Sequence, residues 1–119
     1  MGQILRDEKF LDLVRTSSTT LSLPAGTKVN VGGQQPVIDS DLELDITVVG
    51  VGGMDIAVTS GTYYIYVTVV NGAPFLIGSL NDDDTGPTGF PAYGIVGTMG
   101  TNGTSVGSLR AVANKFLGS

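Results

Sequence analysis

A run of glycines that leads into a segment of aromatic and β-branched residues constrains this chain more than any other feature. Residues 50–55, which we call the glycine loop, read Gly-Val-Gly-Gly-Met-Asp, and residues 63–70 read Tyr-Tyr-Ile-Tyr-Val-Thr-Val-Val. Glycine allows tight loops in which backbones approach closely, whereas Tyr, Ile and Val favour extended strands. Because residues 63–70 are apolar on both faces apart from Thr68, we predict a central strand, or a strand whose second face is covered by another subunit.

Similar strand signals, separated by turn signals, recur along the rest of the chain. An aliphatic residue occupies every second position from Leu42 to Val48, with acidic residues or Thr between them, as in a half-buried strand. Residues 24–27 predict a turn that joins strands at 20–23 and 28–31 into a hairpin. Asn71-Gly72 is a strong signal for a second hairpin. About seven short strands at this spacing predict an all-β fold, either a small antiparallel β-sandwich or a jelly-roll-like barrel.

The chain of 119 residues predicts one domain flanked by two arms. Residues 1–18 are the most charge-dense part and form an N-terminal arm, which fits one or two helical turns as well as a strand. Residues 19–105 form the β-domain. Residues 106–119 form a C-terminal strand or a short helical arm.

The charges divide the chain into an acidic body and mixed-charge ends. Residues 29–109 carry eight acidic residues and no basic residue, which is a formal charge of −8. Such a body repels phosphate backbones, so we predict no nucleic-acid partner. All basic residues lie outside it: Arg6, Lys9, Arg15, Lys28, Arg110 and Lys115. We predict that the N-terminal arm docks on a neighbouring protein through Arg6, Lys9, Phe10, Leu11 and Arg15.

The catalytic chemistry open to this chain is narrow, because it contains no His and no Cys. Ser-His-Asp and Cys-His arrangements, disulfides and thiolate metal sites are therefore excluded. Four carboxylates share one face of a predicted strand at separations that overlap those of glycosidases: Asp39, Asp41, Glu43 and Asp45. Glycosidases draw their two carboxylates from different elements, so we expect a solvated acidic face and predict no enzymatic activity.

Two loops match ligand sites only in part. Residues 81–86, Asn-Asp-Asp-Asp-Thr-Gly, offer oxygens for calcium but lack the ligand spacing of an EF-hand, so we expect a polar loop tip. Cation binding by Asp82 to Asp84 is the open alternative. The glycine loop follows a strand, as a dinucleotide loop does, but Asp55 stands where a third glycine belongs and the downstream sequence favours a strand. We predict neither a metal site nor a cofactor.

The sequence shows no membrane signal. Its first residues lack the apolar core of a signal peptide, and the apolar stretch from Tyr63 to Val70 is too short to span a bilayer. We predict synthesis and assembly in the cytoplasm, with no membrane partner.

Residues 41 to about 105 resemble a recurring module of tailed-phage fibre and head-appendage proteins. In that module an aliphatic strand leads into a glycine-rich loop, Leu/Met-Asp, a polar link and a Tyr-Tyr-aliphatic-Tyr strand. Here these parts are residues 42–49, 50–53, 54–55, 59–62 and 63–66. The later loop, strand and turn of the module match Pro87, Pro91, Tyr93, Gly97 and Asn102-Gly103. One departure is that Gly94 and Ile95 replace the basic pair of the module.

This resemblance implies a non-enzymatic structural protein of a tailed-phage virion, assembled in the host cytoplasm. The expected function is capsid decoration, as a cement or head-fibre protein that docks on the major capsid protein. The alternative is a tail-fibre or tail-tip subunit that binds a host receptor or glycan. The resemblance also implies a homotrimer.

The tyrosines of the predicted central strand suggest where subunits meet. Tyr64 and Tyr66 share one strand face, opposite Tyr63. Packing in the core or at a subunit contact is the ordinary role of such residues, and a platform for glycans is the alternative. If Tyr64, Tyr66 and Val70 were exposed they would form an apolar patch, so we predict that they lie at the contact of a homotrimer.

Overall fold

Strands are the only regular secondary structure in the part of the chain that the structure describes. A computed structural model describes residues 13–82, 84–90 and 92–111, and these residues form seven strands and no helix. The strands are β1 Val14–Arg15, β2 Thr20–Leu23, β3 Leu42–Asp45, β4 Ser60–Val70, β5 Ala73–Ser79, β6 Tyr93–Asn102 and β7 Val106–Ala111. No helix long and apolar enough to cross a membrane occurs in this part of the chain. The prediction of an all-β fold is confirmed.

The strands form two antiparallel sheets that are consistent with a small β-sandwich. The smaller sheet has the order β1-β2-β3, and the larger sheet has the order β5-β4-β6-β7. Strand β4 lies inside the larger sheet, as predicted for Tyr63 to Val70. The turn between β4 and β5 is Asn71-Gly72, with φ angles of 52° and 81°. Both angles are left-handed, as a type I′ hairpin turn requires, so the predicted hairpin is confirmed.

The main core lies between the two sheets. Alternate residues of β4 point into it, namely Tyr63, Ile65 and Val67, and β2 contributes Leu21 and Leu23. All five side chains are fully buried. Each stabilises the fold by roughly 1.5–3 kcal/mol through removal of its apolar surface from water. The period of two in both segments therefore places one face of each sheet in the core.

The predicted hairpin between residues 20–23 and 28–31 is wrong. The turn itself is present, since the Thr27 N–H and hydroxyl donate to the Pro24 carbonyl at 3.3 and 2.6 Å. However, β2 pairs with β3, which places leucines opposite leucines. Val29 and Val31 are buried without forming a strand with β2. The pairing of β2 with β3 is more favourable than pairing with residues 28–31, because it brings the leucines of two alternating strands together.

Strand β3 is shorter than its alternation predicts. The strand ends at Asp45, because its carboxylate accepts hydrogen bonds from the Thr47 N–H at 2.9 Å and the Thr47 hydroxyl at 2.7 Å. These bonds stabilise a turn in competition with an extended strand. Ile46 is still buried, but Val48 is 41% exposed.

Both described ends of the chain are strands. Residues Val14–Arg15 pair with β2, and residues Val106–Ala111 pair with β6, so the strand alternatives hold over these ranges. Residues 1–12 and 112–119, which include the rest of both predicted arms, lie outside the described residues.

Candidate functional site

The four acidic residues at positions 39–45 do not form a catalytic cluster. Only Glu43 and Asp45 belong to β3, and an Asp41 oxygen accepts a hydrogen bond from the Ala25 N–H at 2.9 Å. The hydroxyl and then the N–H of Thr47 lower the pKa of the Asp45 carboxyl. Within the described ranges no group of three or more His, Cys, Asp or Glu side chains is placed to hold a metal ion. The geometry fits anchoring of turns.

The glycine loop connects the two sheets through its backbone. The Asp45 N–H of β3 donates to the Gly52 carbonyl at 2.9 Å, and the Gly52 N–H donates to the Leu76 carbonyl of β5 at 2.9 Å. The Gly78 N–H of β5 donates to the Gly53 carbonyl, also at 2.9 Å. The loop therefore occupies the edges of both sheets, where unpaired backbone groups would otherwise face solvent.

Steric contact explains why glycine occurs at these positions. A Cβ on Gly53 would collide with the Val48 carbonyl, and Gly52 has a φ of 81°, which disfavours other residues. The N–H groups of Gly50 and Gly53 donate to carbonyls within the loop, and that of Gly52 donates to β5. These three donors are already used, so the loop is not shaped to bind phosphate groups as a dinucleotide loop would.

Asp55, at the end of the glycine loop, is the centre of a polar network. One of its oxygens, Oδ2, accepts hydrogen bonds from the Ser79 hydroxyl at 2.6 Å and the Thr88 N–H at 2.9 Å. Its Oδ1 is buried and has no hydrogen-bond partner among the described residues. The Asn81 side chain donates to Gly86 O at 3.0 Å and to the Thr88 hydroxyl at 3.2 Å. The network holds the described part of the loop after β5 against the sandwich.

Sequence reasoning did not find this network. In the sequence, Asp55 is distinguished only by its position, where a dinucleotide-binding motif has its third glycine. Its partners Ser79 and Thr88 lie 24 and 33 residues further along the chain. No local pattern joins residues that far apart, so the sequence carried no signal for the contact.

The loop after β5 covers part of the outer face of the larger sheet. Tyr66 on that face is fully buried with Ile77 and Ile95, and its hydroxyl donates to the Asn81 carbonyl at 2.7 Å. Its ring meets that of Tyr93 edge to face at a centroid distance of 5.3 Å. The second face of β4 is thus covered here by the same chain, and the expectation that another subunit covers Tyr66 is corrected.

The other tyrosines and Val70 occupy different environments. Tyr63 is buried in the main core, and its hydroxyl accepts a hydrogen bond from the Thr59 N–H at 2.9 Å. Tyr64 and Val70 are partly buried. Of the three residues predicted at a subunit contact, these two retain exposed surface within a single chain.

Beyond Tyr66 the outer face of the larger sheet is open among the described residues. Tyr64, Thr98 and Arg110 lie in register across β4, β6 and β7, whereas Ser79, the next residue of the row on β5, is fully buried. Beside this row is a shallow depression of about 410 Å³, lined by Thr62, Thr98, Gly100, Ser108, Leu109 and Arg110. An aromatic ring beside hydroxyl groups and a guanidinium is a surface that fits a sugar.

The acidic loop at residues 81–86 forms a turn stabilised by its own side chains. The Asp82 carboxylate accepts hydrogen bonds from the N–H groups of Asp84 and Thr85 at 3.2 and 3.3 Å. Asp83 lies outside the described residues. Asp82 therefore stabilises the turn that it begins, through hydrogen bonds from its side chain to the backbone.

The two described ends of the chain meet at one edge, which we call the terminal edge (residues 13–18 and 106–111). The Val106 N–H donates to the Ser18 carbonyl at 2.7 Å. Leu13 occupies the space beside Gly97, and Gly97 pairs with Ala111. The segments at residues 1–12 and 112–119 are therefore attached at neighbouring points.

Most basic residues of the sequence belong to the terminal edge or to the segments attached to it, and residues 1–12 also carry three acidic residues. Five of the six basic residues lie on it or in the segments attached to it: Arg6, Lys9, Arg15, Arg110 and Lys115. One of the predicted docking residues, Arg15, lies within the described part of the chain. It is exposed, and its Nε donates to the Ser17 carbonyl at 3.1 Å. The other four docking residues lie outside the described residues.

Comparison with known proteins identifies no relative. No protein-family model matches this chain, and no curated protein matches it.

Proposed function

We propose that this chain is a non-enzymatic structural protein of a tailed-phage virion. In this proposal it decorates the capsid, docks on the major capsid protein through the terminal edge and the attached residues 1–12, and is assembled in the host cytoplasm. The resemblance of residues 41 to about 105 to phage appendage modules supplies the virion context.

The single observation that carries the docking role is the meeting of the two described ends of the chain at the terminal edge. Leu13 and Ala111 both neighbour Gly97, so the segment that carries Arg6 and Lys9 is attached to the edge that holds Arg15 and Arg110, whereas residues 29–109 carry no basic residue. Such a division of charge orients a protein towards an acidic partner surface.

A homotrimer is part of the proposal. Tyr64 and Val70 keep exposed surface on β4, and a symmetric assembly is the usual way to bury such surface. Tyr66 is not included in this contact, because its side chain is buried within one chain.

The second candidate function is recognition of a host glycan by a tail-fibre or tail-tip subunit. The open outer face favours it, since Tyr64 and Arg110 lie in one row beside the hydroxyl-lined depression. This function predicts adsorption of the purified protein to host cells, which Tyr64→Ala abolishes. Capsid decoration predicts no such adsorption.

The docking role is tested by removal of residues 1–12, which leaves β1 intact. The truncated protein should keep its far-ultraviolet circular dichroism but no longer sediment with capsids of the phage whose genome encodes the chain. A Lys28→Gln variant, which removes a basic charge outside the terminal edge, should still sediment with them. Undiminished capsid binding by the truncated protein would end the docking role, and a gene outside any phage or prophage genome would end the virion proposal.

A further inference from the structure

Two edge strands of the sandwich face each other across a groove. Strand β3 is an edge of the smaller sheet, and β5 is an edge of the larger sheet. The glycine loop fills the space between them at one end, where Gly52 bonds to both Asp45 and Leu76. Beyond Gly52 the space continues as a groove of about 480 Å³. We call it the edge groove, and its lining is residues 39–43, 51–52 and 73–75.

Backbone groups of both edge strands point towards the edge groove. In an antiparallel ladder the N–H and C=O of one residue face the same side, and alternate residues face the same way. The Asp45 N–H points away from β2, because it donates to the Gly52 carbonyl. Glu43 lies two residues earlier on β3 and therefore also directs its N–H and C=O away from β2. The Leu76 carbonyl points away from β4, because it accepts the Gly52 N–H. Pro74 lies two residues earlier on β5 and therefore also directs its C=O away from β4. These groups can hydrogen-bond to an added extended segment.

The side chains of the edge groove are acidic on one side and apolar on the other. Asp39 and Glu43 are exposed, whereas Asp41 is bonded to Ala25. Val51 is 38% exposed, and Leu42, Pro74 and Phe75 are partly buried. An extended segment with both basic and apolar side chains would complement these two walls.

We propose that the edge groove binds residues 112–119 of a second copy of this chain. This segment reads Val-Ala-Asn-Lys-Phe-Leu-Gly-Ser, and no acidic residue occurs after Asp84 in the whole sequence. Lys115 faces Asp39 and Glu43, and Phe116 and Leu117 cover the apolar wall. The segment follows β7 directly, so it leaves the sandwich from an extended strand. Residues 1–12 are a poorer match, because they carry three acidic residues and two basic ones.

Distance assigns the segment to a second copy. Strands β5 and β7 are opposite edges of the larger sheet, three strand spacings or about 14 Å apart. Ala111 is in register with Gly78 across the sheet, so the groove residues 73–75 lie about 10 Å or more further along β5. The direct path is then roughly 17 Å and passes through the sheet. Four residues span at most about 14 Å, so the backbone of Lys115 in the same chain stops short of the groove and the segment that it begins cannot pair along the groove.

This contact gives the assembly a defined geometry. The segment of one copy enters the groove of the next, so the interface is heterologous and closes into a ring when the rotation between copies allows. With three copies it would produce the homotrimer proposed above. Val70 pairs with Ala73, which lines the groove, and therefore lies beside the contact.

Charge exchange in the full-length chain tests the contact. Lys115→Glu and Glu43→Lys should each weaken self-association about tenfold or more in sedimentation velocity, because each replaces an ion pair with a repulsive one. The double variant Glu43→Lys/Lys115→Glu should recover most of the association. Asp84→Lys, a matched reversal outside the groove, should leave it unchanged. Thermal unfolding of each variant checks that the fold is retained.

Mixing separates a contact between copies from one within a chain. An equimolar mixture of the Lys115→Glu and Glu43→Lys proteins should recover association in part, because an intact segment meets an intact groove and a reversed segment meets a reversed groove wherever the two variants are neighbours. In a ring of three, two of the three contacts are matched in this way. A wild-type chain that stays monomeric at micromolar concentration would overturn the proposal. So would equal weakening by Asp84→Lys, or single variants that associate as the wild type does.

Discussion

At the scale of single residues, polar side chains fix where strands end and how loops are held. Asp45 stops β3 by bonding to Thr47, and Asp55 holds the loop after β5 through Ser79 and Thr88. Both are acidic residues whose carboxylates accept local or long-range N–H and O–H donors. Carboxylates in these roles stabilise the fold without any catalytic partner, which agrees with the proposed structural function.

The first prediction concerns the pH dependence that Asp45 adds to stability. Thr47 lowers the Asp45 pKa in the folded state from its ordinary value of 3.8, so ionised Asp45 favours folding above that value. This contribution is lost as pH falls through the folded-state pKa. Thr47→Val removes the hydroxyl donor and should raise the Asp45 pKa, measured by carboxyl-carbon NMR titration. The variant should be less stable to urea at about pH 7, and the difference should shrink at about pH 2. A difference that persists in acid would show that it has another cause.

At the scale of elements, the glycine loop is a structural part of the sandwich because it bonds to an edge strand of each sheet. Within this loop Gly53 has the least room for a side chain, since its Cβ would collide with the Val48 carbonyl. The Val48 carbonyl accepts the Met54 N–H at 2.8 Å and the Gly53 carbonyl accepts the Gly78 N–H of β5 at 2.9 Å, so movement of either group strains one of these bonds.

The second prediction follows from this close approach. Gly53→Ala should lower the free energy of unfolding by about 2–3 kcal/mol in urea, and the Gly78 amide should lose protection from hydrogen exchange. Gly33→Ala is the matched control, because Gly33 has a φ of 92° but no atom near the new Cβ. That control should cost about 1 kcal/mol, the strain of a left-handed backbone alone. Equal losses in the two variants would contradict the role of close contact at Gly53.

Elements whose signals are local were predictable from the sequence, and those set by distant pairing were not. The period-two pattern and the Asn71-Gly72 turn specified β4, β5 and the hairpin between them. The partner of β2 was predicted wrongly, because a good turn at residues 24–27 was taken to join neighbouring strands. The edge groove and the Asp55 network depend on contacts between residues 24 or more positions apart, for which no short pattern exists.

At the scale of the whole molecule, the distance over which charges repel one another depends on salt and can match the size of the protein. The body at residues 29–109 has eight acidic residues and no basic one, and the molecule measures 42 × 27 × 25 Å. At about 0.01 M salt the screening length is roughly 30 Å, comparable to the molecule itself. At about 0.15 M it falls to roughly 8 Å, so most pairs of carboxylates no longer repel one another.

The last prediction is that salt stabilises this protein. Repulsion within the acidic body opposes the compact state, so screening should raise the free energy of unfolding by an amount on the order of 1 kcal/mol between those two salt concentrations. Urea unfolding at about pH 7 in NaCl measures the change. Calcium chloride at the same ionic strength is the control, because screening depends on ionic strength and not on a specific site. A larger gain in calcium would indicate a bound cation at Asp82 to Asp84, whereas stability that stays constant or falls with NaCl would mean that repulsion in the body does not limit folding.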